Sequence, residues 1–389
     1  MKIRVIGSTC PDYQLPVEEA MFFAGHSAGI CYMQDEFDTI LNEPEEKTMK
    51  RFDQTAGSGH HSVAGHTSYN LLLTGVPKII AMILNNEKDY NTSEKSARYT
   101  RMQLDGEELR LYNKWYALFY EMIRGTYPKL DDKTMSKLAQ ENARYFISVF
   151  TPSTTMEYTV DFRQGNYLIG FLEDFADDTQ KFPHDFMNKL REPLRETAKL
   201  FRSVLNCEKI RDRKGRSLSL FATRQRSEYF GEVYSVNYTG SFAQLAQAHR
   251  HRSINYEMMM PDLSMRQEFF IPPIIRGEPG LMETYLEDMK SVQESFPQGM
   301  MVKINERGTP EDFLTSKCSE RLCGAAQLEI CLQTRRTLDR YVSTVIQNGE
   351  TEVFKMLYPL QGKTKCQFTI QPCVRPCPLG QEHAFDRKI

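Results

Sequence analysis

The sequence predicts an α+β fold made of two tandem repeats, each a small mixed sheet flanked by helices, packed together as a pseudo-dimer. Three observations carry that expectation. First, the run ending at Thr74-Gly75 and continuing through 76–84 aligns with the run ending at Thr239-Gly240 and continuing through 241–249. Second, each run alternates like a half-buried strand and then switches to helical spacing. Third, a longer helical arm follows each. The first arm carries Leu109, Tyr112, Trp115, Leu118, Phe119, Met122 and Ile123 at helix spacing, and the second, 282–296, carries Leu286, Met289 and Val292. Self-similarity of this kind marks a duplicated unit. The expected domains are a first repeat at 1–206, a charged linker at 207–217, and a second repeat at 218–389 that ends in a cysteine-containing tail.

Length and charge narrow the functional classes. A chain of 389 residues buries a sizeable core and has room for two or three domains. Its 49 basic residues balance 51 acidic ones, which argues against a nucleic-acid polymer or a membrane surface as partner, since such binders carry a basic excess. An anionic ligand must therefore be held locally. The N-terminal run Met1-Lys2-Ile3-Arg4-Val5-Ile6 is too short for a signal peptide, and no apolar run approaches membrane-spanning length, so a cytoplasmic protein is expected. Nine cysteines, an odd number, point to thiols or metal rather than to a disulfide framework.

Taken in order, the first repeat offers His60-His61-Ser62-Val63-Ala64-Gly65-His66 ahead of its strand and Ser93-Glu94-Lys95-Ser96-Ala97-Arg98-Tyr99 behind its helix. At 207–217 the run Arg211-Asp212-Arg213-Lys214-Gly215-Arg216 reads as a solvated linker. The second repeat opens a helix at Ser241 and ends it with Gln247-Ala248-His249-Arg250-His251-Arg252. Two guanidiniums and two imidazoles in four residues repel one another unless an anion or an electron-rich ring lies beside them. The plain alternative is a solvated basic helix end. Further on come Glu268-Phe269-Phe270-Ile271-Pro272-Pro273, Ser319-Glu320-Arg321 and Ala326-Gln327-Leu328-Glu329-Ile330. Cys318, Cys323, Cys331, Cys366, Cys373 and Cys377 are close enough in sequence to gather in a fold. Their spacing matches no Cys-x-x-Cys knuckle, so buried thiols are expected and no metal site is assigned.

The pattern Gln247-x-x-Arg250-His251-Arg252, with the later landmarks at 268–273, 319–321 and 326–330, resembles the signature of the flavin-dependent thymidylate synthases across most of 217–380. Ser93 to Tyr99 resembles the Glu-x-Ser-x-Arg-Tyr element of that family, and 60–66 resembles its His-x-Ser-x-x-Glu-His with Gly65 in place of the glutamate. The two repeats have complementary losses. Asn85-Asn86-Glu87 stands where the second repeat has Arg250-His251-Arg252, Arg321 falls opposite the region of Phe175, and Glu257-Met258-Met259-Met260 stands where the Ser-x-Arg element should be.

The resemblance implies reductive methylation of dUMP with FAD as cofactor, NADPH as reductant and methylenetetrahydrofolate as one-carbon donor. It implies that Glu94, Ser96, Ala97, Arg98, Gln247, Arg250 and Arg321 bind the nucleotide, that Arg250 and Arg321 also act in catalysis, and that His60, Ser62, Arg250, His251 and Arg252 hold the flavin. It also implies a homodimer that imitates a family tetramer. The chemistry suits the residue types, because an arginine and a hydroxyl clamp a phosphate dianion and a guanidinium stabilises charge building on a pyrimidine ring. Alternatives are alkylation of another pyrimidine nucleotide and a binding protein without turnover.

Overall fold

The protein is described here by a computed structural model covering residues 1–9, 16–34, 36–95, 104–178, 182–212, 215–369, 371–375, 377–380 and 383–389. It forms two compact units, Met1–Lys95 with Pro152–Leu218 and Ser96–Thr151 with Ser219–Ile389. The units therefore differ from the expected halves. The first helical arm groups with the second unit, and the stretch expected as a linker belongs to the first.

The first unit contains β1 (Lys2–Ser8), α1 (Val17–Tyr32), α2 (Phe37–Leu41), α3 (Glu45–Gly57), a 3-10 turn at His61–His66, β2 (Ser68–Val76), α4 (Lys78–Asn86) and β3 (Tyr90–Glu94). The chain then runs through α5 (Gly106–Thr126) and α6 (Asp132–Ala143) of the second unit before returning as β4 (Thr154–Asp161), α7 (Phe162–Asp177) and α8 (His184–Leu205). Strand order is β1-β2-β4-β3, and every pair is antiparallel. The expectation of a mixed sheet is thus corrected. The crossover β2-α4-β3 does set two strands parallel, but it skips one position, and β4 fills the gap antiparallel to both. Period-two burial drives the sheet onto its helices: Tyr69, Leu71 and Leu73 of β2 and Met156 and Tyr158 of β4 are fully buried. The expected linker is no loose strand of chain. Cys207 and Ile210 are buried, Arg211 pairs with Glu173, and Arg216 pairs with Asp212 at 2.5 Å while covering the Tyr167 ring.

The second unit continues with β5 (Tyr229–Phe230), β6 (Tyr234–Ser241), α9 (Phe242–Ala248), β7 (Asn255–Met258), α10 (Pro279–Ser291) and β8 (Met301–Gly308). Beyond these lie α11 (Pro310–Asp312), a π-helical stretch at Phe313–Cys318, α12 (Ser319–Arg321), α13 (Leu328–Gln347) and α14 (Thr351–Leu357). Its sheet has the order β5-β6-β8-β7, again wholly antiparallel. Here α5 and α6 find their partners. Trp115 stacks on Phe146 and meets Tyr285 of α10 edge-on, and its indole donates to Asp288 at 2.7 Å. Leu111, not the expected Leu109, faces this core: Leu111 is fully buried while Leu109 is 39% exposed. The second arm ends at Ser291 rather than 296, and Phe296 adopts a left-handed φ of 56°.

Both sheets have the same wiring. Thr74 faces Thr155 as Thr239 faces Lys303, and Glu94 faces Met156 as Met258 faces Ile304. Just beyond each third strand, Lys95 N donates to Thr155 O at 2.8 Å and Met259 N donates to Lys303 O at 2.9 Å. One difference is a bulge in β2 between Thr74 and Val76, where Gly75 takes a φ of 68° that favours glycine.

Candidate functional site

In the second unit, α9 is started and stopped where the sequence dictates. Ser241 caps it, its side chain accepting from Gln244 N at 3.1 Å, a cap worth about 1 kcal/mol. The chain leaves the helix at His249, and the basic triplet then alternates. Arg250 and Arg252 are exposed, whereas His251 between them is buried. Arg321, from α12, donates Nε–H to His251 Nε2 at 2.8 Å and a terminal N–H to Gln247 O at 3.2 Å. The accepting Nε2 puts the imidazole proton on Nδ1. Burial, reinforced by the Arg321 and Lys317 cations, holds the His251 pKa well below its ordinary value, so the ring is a neutral hydrogen-bonding group. The structure thus brings Gln247, Arg250, His251, Arg252 and Arg321 to one helix end, as the motif requires.

Behind them lies a polar relay that sequence reasoning missed. Gln247 Nε2 donates to Gln327 Oε1, which also accepts from Arg144 at 2.6 Å. Gln327 Nε2 donates to the Tyr145 hydroxyl, and Tyr145 donates to Glu329 Oε2 at 3.1 Å. Ser241 gives Glu329 two further bonds, from N at 2.7 Å and from Oγ at 2.6 Å. Burial raises the Glu329 pKa, opposed by the bonds from Ser241 and Tyr145. The buried carboxylate therefore anchors both the cap of α9 and the orientation of Gln247, whose Oε1 is buried without a hydrogen-bond partner. An orphaned acceptor of this kind costs about 1–3 kcal/mol unless a ligand donor meets it. Gln327 and Glu329 stood in a sequence landmark, but nothing in the sequence ties Arg144 and Tyr145 to a helix a hundred residues away.

A second missed feature lies under the same helix end. Lys317 and Glu306 form an ion pair with both side chains fully buried. Tyr234 and Tyr238 donate to Glu306 at 2.8 and 3.0 Å, and the Lys317 ammonium faces the Tyr238 and Tyr256 rings. The π-helical turn carries Lys317 inward and sets Arg321 four residues on, a use of π-turns common at functional sites.

In the first unit, His60 and Ser62 flank the start of the 3-10 turn. Ser62 is exposed and His60 half-buried, its Nδ1 bonded to the Tyr32 hydroxyl. His61 is structural, with Tyr167 at 2.9 Å and Ala56 O at 3.0 Å. A Cβ at Gly65 would have ordinary contacts with Arg163 and Asp161 at 3.8 Å, so the site leaves room for a Cβ. The Glu94 side chain is buried and bonded internally, to Lys78 at 2.6 Å, Asn85 at 3.2 Å and Thr154 at 3.4 Å. Ser96, Ala97 and Arg98 lie outside the described residues.

The sequence register that set Asn85 against Arg250 is corrected by the extra residue at the Gly75 bulge: counted from the helix caps Pro77 and Ser241, Asn86 stands in the Arg250 position and Asn85 in that of His249. Asn85 binds Glu94, whose ladder counterpart in the second unit is Met258. Where the helix end carries Asn86 in place of Arg250, the strand end kept its carboxylate. Where the cations remain, the carboxylate is a methionine.

A cleft of about 160 Å³ lies on the second sheet among Tyr238, Thr239, Glu257, Lys303 and Asn305, too small for a nucleotide. Among the described residues no helix is long and apolar enough to cross a membrane.

Residues 18–170 match the model of the family described as thymidylate synthase complementing protein. The resemblance expected from the motifs therefore holds, and the matched stretch carries the His60 and Ser93 elements rather than 217–380. No curated relative matches the sequence. Solved structures similar to the chain include a flavin-dependent thymidylate synthase from Helicobacter pylori complexed with FAD and dUMP. It is 14% identical, with 53% of this chain and 100% of that chain covered and a TM-score of 0.30. Another is a UMP/dUMP methylase from Streptomyces cacaoi bound with 5-Br dUMP, 12% identical, with 52% and 90% covered and a TM-score of 0.31.

Proposed function

We propose that this chain, whose residues 18–170 match the thymidylate synthase complementing protein family, is a flavin-dependent thymidylate synthase that methylates dUMP to dTMP. The reading rests on complementary retention: Glu94 against Met258 at equivalent ladder positions, and Arg250 against Asn86 at equivalent distances from the caps of α9 and α4. Two copies of one architecture that each shed the part the other keeps are expected of a duplicated enzyme that has retained one kind of site. Random decay would strike both copies alike.

The residues present suit the group such an enzyme needs. Arg250 and Arg252 are exposed cations beside the buried, partnerless Gln247 Oε1, a donor and acceptor set matched to an anionic cofactor or nucleotide with ring N–H groups. On this proposal Arg250, His251 and Arg252, with His60 and Ser62, hold FAD. When bound, the flavin supplies the hydride, after reduction by NADPH, and methylenetetrahydrofolate supplies the carbon. Arg98 and Ser96 clamp the nucleotide phosphate with Glu94 and Ala97 beside them, Gln247 orients the base, and Arg250 and Arg321 stabilise negative charge developing on the ring. Neutral His251 fixes the Arg321 guanidinium in one plane. The homodimer expected from the resemblance belongs to the same proposal. Its support is an apolar surface on α1 and α2, with Phe23, Ile30, Phe37 and Leu41 all substantially exposed.

The test is product mass after anaerobic incubation with FAD, NADPH, methylenetetrahydrofolate and an equal mixture of UMP, dUMP and dCMP. Thymidylate from dUMP alone, lost in Arg98→Ala and Arg250→Ala, is the expected result. Methylated UMP instead would favour a different nucleotide, the alternative suggested by Gly65 and by the internally satisfied Glu94. No product, with the FAD spectrum still altered by nucleotide, would leave a binding protein and overturn the enzyme.

A further inference from the structure

In the second unit the turn after α12 and the C-terminal tail touch backbone to backbone. A Cβ on Gly324 would stand 1.9 Å from Leu379 O, and one on Gly380 would stand 3.1 Å from Cys366 Sγ and 3.4 Å from Cys377 Sγ. Only glycines permit this approach, and it gathers sulfurs from three separate segments. Cys323 and Cys377 hydrogen-bond to each other through their side chains, and Ala325 N donates to Cys323 Sγ at 3.4 Å. Arg387 pins the turn by donating to Gly324 O and Ala326 O. Lys365 N closes it from the other side, donating to Leu322 O at 2.7 Å.

These thiols are free. No group of three or more His, Cys, Asp and Glu side chains among the described residues is arranged to hold a metal. The Cys323 thiol is held well below the ordinary range, first by the hydrogen bond from Cys377 and further by the Ala325 amide and the Lys365 charge, against the opposing effect of burial. Cys377 is pushed up by the same bond, in which it is the donor, and by burial. The pair is thus a nucleophilic thiolate beside a thiol that keeps its proton. Cys377 also helps to wall a cavity of about 510 Å³ with Lys137, Arg375, Arg387, Asp131 and Glu141, which is the size of a small-ligand pocket and carries more cationic than acidic side chains.

We propose that Cys323 and Cys377 form a thiol–disulfide exchange site whose cavity admits a small anionic disulfide of the glutathione type. The Cys323 thiolate attacks one sulfur of the small disulfide, forming a mixed disulfide and expelling one small thiolate, which takes the Cys377 proton. Cys377 then attacks Cys323 Sγ, forming the protein disulfide and releasing the second small thiolate, which is protonated by water. Two protein thiols lose two electrons and the small disulfide gains them.

The full-length protein would be treated with oxidised glutathione between pH 6 and 8, quenched by alkylation and mapped by mass spectrometry. The expected product is an intramolecular Cys323–Cys377 disulfide. Cys377→Ser should trap glutathione on Cys323, and Cys366→Ser should leave the bridge unchanged. The rate at Cys323 should stay nearly flat as pH falls from 8 to 6, while that of a free small thiol followed in parallel falls about tenfold per unit. Glutathione on Cys31 with none at Cys323, in protein whose circular dichroism is native, would overturn the proposal. So would stoichiometric zinc in the purified protein, lost on Cys323→Ser or Cys377→Ser.

Discussion

At the scale of single residues, the informative pair is His251 and Arg321. The His251 pKa is depressed in the folded protein, and the unfolded value is about 6.5. Its contribution to stability is therefore complete above about pH 6.5 and is lost as pH falls toward the folded value, because the unfolded chain takes up a proton that the native state refuses. His26 is lowered as well, chiefly by burial, so the slope reports both. We expect the melting temperature of His251→Asn to decline less steeply between pH 6.5 and 5 than that of the parent, by one proton's worth of slope. Equal slopes would remove the assignment of a neutral His251. Arg321→Lys keeps the charge but cannot hold His251 Nε2 and Gln247 O with one planar fork. On the proposed function, dTMP formation should fall by about 100-fold while His251→Asn falls less. Unchanged turnover in Arg321→Lys would show that the guanidinium does not act on the ring.

At the scale of elements, two junctions set the architecture. The π-helical turn drives Lys317 into the sheet against Glu306, where both are fully buried. Removing only one of them leaves an unpaired buried charge, so Lys317→Met should cost about 3–5 kcal/mol in urea unfolding. Adding Glu306→Gln should recover part of it, and additive losses would contradict direct pairing. In the first unit, α1 approaches α3 at Gly25 and α2 at Gly29. A Cβ on Gly25 would stand 2.5 Å from Thr48 O, and one on Gly29 would stand 2.7 Å from Ile40 Cγ2. Backbone cannot retreat as a flexible side chain can, so Gly25→Ala should destabilise by about 1–3 kcal/mol. Gly57→Ala, with nothing within 4 Å of its Cβ, serves as the control and should be near neutral. A neutral Gly25→Ala would mean that α1 and α3 are free to separate.

At the scale of the molecule, the division into units has a consequence for any attempt to separate the halves. Because α5 supplies Trp115 and the turn after α6 supplies Phe146 and Ile147 to the second unit, a fragment 219–389 lacks part of its own core. We expect it to show no cooperative unfolding alone and to regain it when co-expressed with 1–218. Trp115 is the single tryptophan, so its fluorescence should report unfolding of the second unit although it lies in the first half of the sequence. Independent, cooperative folding of 219–389 would contradict the unit boundaries.

By itself the sequence determined the local features: the strand-to-helix switches at Thr74 and Thr239, the helix opening at Ser241, and the His60 and Ser93 motifs, whose family resemblance the match over 18–170 bears out. These are set by side-chain period and capping chemistry within a few residues, which any reader of the chain can see. Tertiary structure decided what depends on distant partners. It sent the first arm to the second unit, made both sheets antiparallel by slotting β4 and β8 into crossover gaps, and satisfied Glu94 within its own unit. It also tied Gln247 to Glu329 through Gln327 and Tyr145, and set Cys323 against Cys377. Each of these outcomes is a choice among equally compatible local patterns, made by which apolar faces and buried polar groups could be satisfied together. That is why no stretch of the sequence taken alone contained it.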